Sequence, residues 1–158
     1  MSFRSAISMF AGKPFIVMGI VNVTPDSFYD GGVHESLENA YRHACRLRDE
    51  GADIIDIGGA SSRPGAPVVS PEVELQRILP LLKRFVKGFN GPVSIDTTWS
   101  TVAEAAIDEG ALWINDISAG RYDEKMAGLI ADRGVSVVLM HSRGTSATMQ
   151  TLTDYKYG

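Results

Sequence analysis

Polar side chains follow directly on short apolar runs at five places in this sequence, and their types suggest what they could bind. Asn22 closes the run FIVMGIV, Asp56 lies within DIIDI, and Asp96 ends VSID. Asn115 and Asp116 end LWIND, while His141 and Arg143 follow VSVVLM. Acceptor and amide groups such as Asp96 and Asn115 suit a flat heterocycle that presents both N–H donors and acceptors. Arg63, beside Ser61 and Ser62 and followed by Pro64-Gly65, offers an oxyanion a guanidinium fork, hydroxyls and backbone N–H groups. Asn22 contributes a neutral oxygen, compatible with a hard cation such as Mg²⁺ bridging to a phosphate. Singly, each has an ordinary structural role: Asp56 capping loop amides, Asp96 opening a turn, Asn115-Asp116 forming a turn pair. Polar groups at five successive run ends are harder to attribute to turns alone.

The elements that must position these groups are legible from periodicity. Residues 15–21 form an apolar, β-branched strand, and residues 22–35 form a long polar loop of a kind that is more often functional than not. Ser36 is the expected N-cap of a helix with Leu37, Ala40, Tyr41, Ala44 and Leu47 at helical spacing, and Gly51 is its expected glycine exit. Strand two spans 53–57. Ser70, with Pro71 at the first helical position, starts a second helix with an apolar stripe of Val73, Ile78, Leu79, Leu82, Phe85 and Val86. Pro80 falls inside that pattern and is expected to kink or split it. A strand over 93–96 precedes a helix over 101–109 capped by Thr101 or Ser100. A strand over 112–116 precedes a helix over 123–132, and a fifth strand spans 135–140. Five strands alternating with four helices and no hairpin signal give a parallel α/β sheet. A complete eight-fold barrel takes about 250 residues, so length alone favours an open, flavodoxin-like sheet.

The 158 residues suffice for one domain with a core, and 44% hydrophobic with 22% charged content is ordinary for a globular protein. A net charge of -4 argues against a broad nucleic-acid or anionic-membrane surface, so neither partner is expected. The N-terminus lacks a convincing signal peptide, and the cytoplasm is the expected address. The single cysteine, Cys45, excludes an internal disulfide and reads as packing. His34 and His43 read as surface or helix residues. No zinc-type spacing, P-loop, dinucleotide fingerprint or G-x-S-x-G is present.

GIVNVTPDSFYDGG at 19–32 and GADIIDIGGASSRPGA at 51–66 resemble the two signature segments of the dihydropteroate synthases. VSIDTTWS at 93–100, INDISAG at 114–120 and LMHSRGTSATMQ at 139–150 resemble that family's third, fourth and fifth strand ends. The resemblance covers the chain from Phe15 onward. It implies a pterin-binding (β/α)8 TIM barrel, here its first five βα units in a single domain over 1–158. It implies an enzyme that condenses 6-hydroxymethyl-7,8-dihydropterin pyrophosphate with p-aminobenzoate, using Mg²⁺ and working as a homodimer when complete. Asp96 and Asn115 would then hydrogen-bond the pterin, with Asp56 beneath it and Met140 near its ring. Asn22 would lie at the pyrophosphate and Mg²⁺. Ser62 and Arg63 would serve the p-aminobenzoate and anion region, Phe28 and Pro64 would wall that pocket, and Asp30 would belong to the first loop. Asn22, Asp96 and Arg63 are the expected catalytic residues, and His141 is a candidate for the anion region.

Two positions depart from the family pattern. Ala60 stands where the family usually has glutamate, and Trp99-Ser100 stands where a lysine-proline pair is common. The sequence also ends before the family's last three strands, so it is expected to be the N-terminal portion of such an enzyme. A methyltransferase of the related methyltetrahydrofolate-using barrels accounts for Asp96 and Asn115 but not for the TPDSF or SSRPG loops.

Overall fold

Strand order decides between the two closures. The computed structural model describes residues 9–24, 32–61, 68–141, 143–144, 148 and 151–155, with the backbone alone over 32–35. Its elements are β1 (Met18–Asn22), α1 (Gly32–Asp49), β2 (Ile54–Gly58), α2 (Pro71–Phe85), β3 (Val93–Asp96), α3 (Ser100–Asp108), β4 (Trp113–Asp116), α4 (Lys125–Arg133) and β5 (Ser136–Leu139). The five strands lie in the order β1-β2-β3-β4-β5, and every neighbouring pair is parallel. The helices meet in the same succession, α1 on α2, α2 on α3 and α3 on α4. A doubly wound sheet reverses its strand order and divides its helices between two faces. Here one face carries a single layer of helices, which is the winding of a barrel wall and overturns the open sheet that length favoured.

The helix-facing side holds the main core. Val21, Ile55, Ile57, Val93, Ile95 and Ile114 alternate with the residues of the opposite face and are buried against Ala40, Ala44, Ile78, Leu81, Leu82, Phe85, Val102 and Ala106. Each fully buried aliphatic side chain contributes about 1.5–3 kcal/mol. Gly19 lets α1 come close: a Cβ there would stand 3.1 Å from Leu47 and 3.2 Å from Ala52. Charges outside the core tie each helix to the next, Arg84 to Glu38 (2.6 Å), Lys83 to Glu109 (3.1 Å) and Arg133 to Asp108 (2.8 Å). These pairs are exposed and contribute little singly.

Several local expectations are met and others are corrected. Gly51 (φ 102°) and Gly134 (φ 64°) end α1 and α4 in the left-handed region, where glycine pays no Cβ penalty. The Ser70 side chain accepts from the Val73 amide, with Pro71 following it. Helix α1 begins at Gly32 rather than after Ser36, because the intervening residues contain no breaker and a cap residue only biases a helix start. Pro80 does not split α2. Both Pro80 and Gln76 are exposed, so the carbonyl left without its helical donor faces water. The α2 stripe is out of phase with the expectation at one end: Val73 is exposed and Glu74 is buried.

The start of α3 is also corrected. Its N-cap is Trp99, which makes no side-chain cap bond, and neither Ser100 nor Thr101 takes that role. The cap comes from the loop before α4, where Asp123 Oδ2 accepts from the Ser100 amide (2.8 Å) and Oδ1 from the Lys125 amide (3.0 Å). The Ser100 hydroxyl and amide together hold the Asp123 carboxyl below its ordinary pKa. A depressed carboxylate contributes stability above its unfolded pKa and loses it as pH falls through the folded value. Asp123→Ala is therefore expected to cost about 1 kcal/mol in urea unfolding at pH 7. The difference from wild type should close as the pH falls through the carboxylate range, and a difference independent of pH would contradict this assignment.

Candidate functional site

The face turned away from the helices carries the polar groups, and strand register aligns them. Asn22 pairs with Gly58, Gly58 with Asp96, Asp96 with Asn115 and Asn115 with Val138, so one row of side chains crosses the C-terminal ends of all five strands. One layer deeper, Ile20, Asp56, Ser94, Trp113 and Ser136 form a second row. In parallel α/β folds this end of the sheet is where ligands bind.

Gly58 leaves the upper row open. A Cβ built on it would stand 3.4 Å from Asn22 Oδ1, 3.4 Å from Asp96 Cβ and 3.5 Å from Asp96 Oδ2. The glycine therefore separates an amide oxygen from a carboxylate with a shallow floor in which a flat ligand can lie. Beneath it, Asn115 Nδ2 donates to Asp56 Oδ2 (3.0 Å). Asp56 is only 2% exposed, and its Oδ1 has no hydrogen-bond partner among the described residues. Ser94 Oγ and Trp113 Nε1, its neighbours along the deeper row, are likewise buried without one. Leaving such atoms unpaired costs about 1–3 kcal/mol each, so the deeper row favours an occupant that supplies hydrogen bonds.

The electrostatics point the same way. Burial raises the Asp56 pKa, against the opposing pull of Ser94 and Asn115. Asp96 is pushed up to about 7, first by burial and then by the charges of Asp56, Glu74 and Asp116. Buried Asp56 beside half-buried Asp96 suits a ligand edge rich in N–H donors.

The Asn115-Asp116 pair divides by parity. Asn115 faces the site, whereas Asp116 faces the other way, fully buried, and accepts from the Ser118 and Gly120 amides at 2.7 Å each. Asp116 thus builds the loop after β4. Met140 lies two residues past Val138, the register partner of Asn115, and its amide donates to Asp116 O (3.2 Å). His141 and Arg143 meet each other's partner: His141 Nε2 lies 3.2 Å from the Tyr155 hydroxyl, and the Arg143 guanidinium sits over the Tyr155 ring and donates to Asp154 O. Trp99, the unusual residue after β3, donates through Nε1 to Val69 O (3.3 Å), joining the loops that follow β2 and β3. Phe28, Asp30, Ser62, Arg63 and Pro64 lie outside the described residues.

Reading the sequence missed Gly58, Ser94, Thr97 and Glu74. The first two share the parity of Asp96 and Asp56, a signal that alternation alone offers. Glu74 lies four residues before Ile78 on the stripe that reaches Phe85, so an acid in an apolar register was the available sign.

With this geometry in view, the comparison with known proteins is direct. A family described as pterin binding enzyme matches residues 18–158. The chain belongs to the pterin-binding enzyme family. Dihydropteroate synthase of Bacillus subtilis is 50% identical to it over 128 residues, covering 81% of this chain and 45% of that protein. A solved dihydropteroate synthase from Clostridium difficile, obtained in the presence of pteroic acid, superposes with a TM-score of 0.83 at 41% identity, covering 93% of this chain and 53% of the other. The Xanthomonas albilineans enzyme in complex with 7,8-dihydropteroate gives 0.73 at 41% identity, covering 90% and 48%. The chain spans about half the length of the relatives it matches. As a pterin-binding family member it has the winding of a partial (β/α)8 barrel rather than an open sheet.

The raised pKa of Asp96 fixes the sign of a stability experiment. The folded chain holds a proton that the unfolded chain has lost between the ordinary value of 3.8 and about 7, so stability falls as pH rises through that window. Asp96→Asn removes the penalty and should be more stable than wild type at pH 8, by on the order of 2 kcal/mol, with no difference near pH 4. Equal stabilities at pH 8 would contradict the burial of this charge.

Proposed function

We propose that this chain acts in dihydropteroate synthesis, joining 6-hydroxymethyl-7,8-dihydropterin pyrophosphate to p-aminobenzoate. The observation that carries this reading is the row Asn22–Gly58–Asp96–Asn115 above Asp56 Oδ1, which has no hydrogen-bond partner among the described residues. A pterin edge presents ring and exocyclic N–H donors beside carbonyl and ring acceptors. Asp96 and Asp56 accept from the donors, and the Asn115 amide serves either kind of group. With Asp56 buried and Asp96 and Asn115 half-buried, they fix the ring's orientation before reaction, and Met140 lies beside it.

Asn22 is the outermost member of the row and stays exposed, where the pyrophosphate of a ring seated over Gly58 would project. No group of three or more His, Cys, Asp or Glu among the described residues could hold a metal ion alone. The exposed Asn22 side-chain oxygen would help to hold a Mg²⁺, an ion usually bound by few protein groups. When present, the ion neutralises charge on the departing pyrophosphate. The C–O bond between the pterin methylene and the pyrophosphate breaks, its electron pair leaving with the phosphate oxygen. The aryl amine nitrogen forms a new bond to that methylene and then loses a proton to solvent. Asp96, Asp56 and Asn115 hold the electron-poor pterin in line, while Ser62 and Arg63, with Phe28, Pro64 and Asp30, complete the aryl-amine side. The same reading brings a single pterin-binding domain, a homodimeric assembly and a cytoplasmic address; no described helix is long and apolar enough to cross a membrane.

The test combines both substrates with Mg²⁺ and follows dihydropteroate by chromatography, alongside a fluorescence titration with 6-hydroxymethylpterin. Turnover with binding is expected. Binding without turnover confines the chain to a pterin site, and the absence of both overturns the reading. Asn22→Ala should lower kcat/KM at least about tenfold, the equivalent of one charge-assisted contact, while the pterin Kd stays within about twofold. An equal loss in both would refute the separation of pyrophosphate and pterin roles.

A further inference from the structure

The end of β2 is held from two sides. Gly58 O accepts from the amide of Val23 (2.7 Å), the residue that follows β1. The register with β3 stops at Gly58 and Asp96, and the next carbonyl turns to a side chain instead. Arg77, in the second turn of α2, donates through Nη1 to Gly59 O (2.7 Å). Gly59 has the parity of Ile57 and faces the helix layer. A Cβ on it would stand 2.9 Å from Ile78 Cγ2, 3.0 Å from Glu74 Cγ and 3.0 Å from Glu74 O, so α2 packs directly on its backbone. Arg77 is half-buried, and the proposed reaction does not use it.

We propose that Arg77 is a positioning residue: by bonding the Gly59 carbonyl it draws the end of β2 onto α2 and keeps open the floor at Gly58, between Asn22 and Asp96, on which the ligand lies. The inference rests on the pterin reading for its ligand but not for its geometry. Two successive glycines have no side chains with which to fix the chain's course. An end of β2 that rose towards the row of polar groups would fill that floor, where Asn22 Oδ1 and Asp96 Cβ already stand 3.4 Å from a Cβ built on Gly58. The Arg77 bond and the bare contact at Gly59 hold it the other way. The Gly59 carbonyl is buried past the end of its ladder and needs a donor, and a guanidinium supplies one roughly twice as strong as a neutral group. Arg84 offers a comparison on the same helix: its bond to Glu38 (2.6 Å) is exposed and lies away from β2.

The test compares Arg77→Met, Arg77→Lys and Arg84→Met in the full chain by 6-hydroxymethylpterin titration and hydrogen exchange. Two amides are followed, Val23, which donates to Gly58 O, and Leu112, which donates to Val93 O (3.0 Å) at the opposite end of the sheet. A general loss of stability speeds both alike, whereas a shift of the β2 end speeds Val23 alone. Arg77→Met should bind the pterin about tenfold more weakly and exchange Val23 about tenfold faster, with Leu112 within about twofold of wild type. Arg77→Lys keeps one donor without the planar fork and should lose about threefold in each. Arg84→Met should bind as wild type does. Wild-type affinity in Arg77→Met, equal acceleration of Val23 and Leu112, equal losses in Arg77→Lys and Arg77→Met, or an equal loss in Arg84→Met would each overturn the proposal. If Arg77→Met does not fold, Arg77→Lys decides, and wild-type affinity and exchange in it overturn the proposal. If the wild-type chain does not bind the pterin, the proposed function fails, and the exchange measurement, which needs no ligand, still decides for or against Arg77.

Discussion

Parallel pairing at an even register aligns side chains across a sheet without bending any strand to do so. Ile54 to Gly58 lies between two partners, and its offsets put Asp56 beside Ser94 and Gly58 beside both Asn22 and Asp96. A slip of one residue would turn Asp56 into the helix layer and Ile57 into the site. Two opposite demands hold the register. Ile55 and Ile57 need the apolar layer beneath α1 and α2, and the polar residues between them are excluded from it. The site is thus a by-product of correct core packing. It persists because the core would be lost first.

That arrangement concentrates acids where water is scarce. Asp56, Glu74 and Asp116 are buried, and Asp96 is half-buried among them. Only Asp116 is fully satisfied locally, by two amides of its own loop. The others keep raised pKa values, and Asp56 and Glu74 each keep an oxygen without a partner among the described residues. Strain of this kind is tolerated in a fold whose remaining contacts over-determine the backbone. Here the over-determination comes from the aliphatic layer and the close approaches at Gly19 and Gly59.

What the sequence disclosed and withheld follows the range of the interactions involved. Strand β3 was legible to the residue, because an alternating run bounded by Pro92 and a Thr pair has one sensible phase. The glycine exit at Gly51 was equally local. Helix α2 had the right length and period but the wrong phase at its start, because the contact that buries Glu74 rather than Val73 comes from Gly59 across a loop. The cap of α3 was hidden for the same reason: its acceptor, Asp123, stands 23 residues away. At the site, Asn22, Asp56, Asp96 and Asn115 were found as residue types at strand ends. Which member of Asn115-Asp116 faces the row of polar groups needed the register. Gly58 gave no sign, since a missing side chain announces itself only between neighbours.

An acid poised at about 7 has a thermodynamic signature of its own. Near neutral pH the ligand-free population of Asp96 is divided between carboxylic acid and carboxylate. A ligand that donates an N–H bond to it selects the carboxylate, so occupancy expels a fraction of a proton into the medium. Heat measured on mixing then includes the ionisation enthalpy of whichever buffer takes that proton up. Titrations in phosphate and in Tris would differ in enthalpy while agreeing in affinity. Their difference counts the protons released on binding by the raised carboxyls, Asp56 and Asp96 among them.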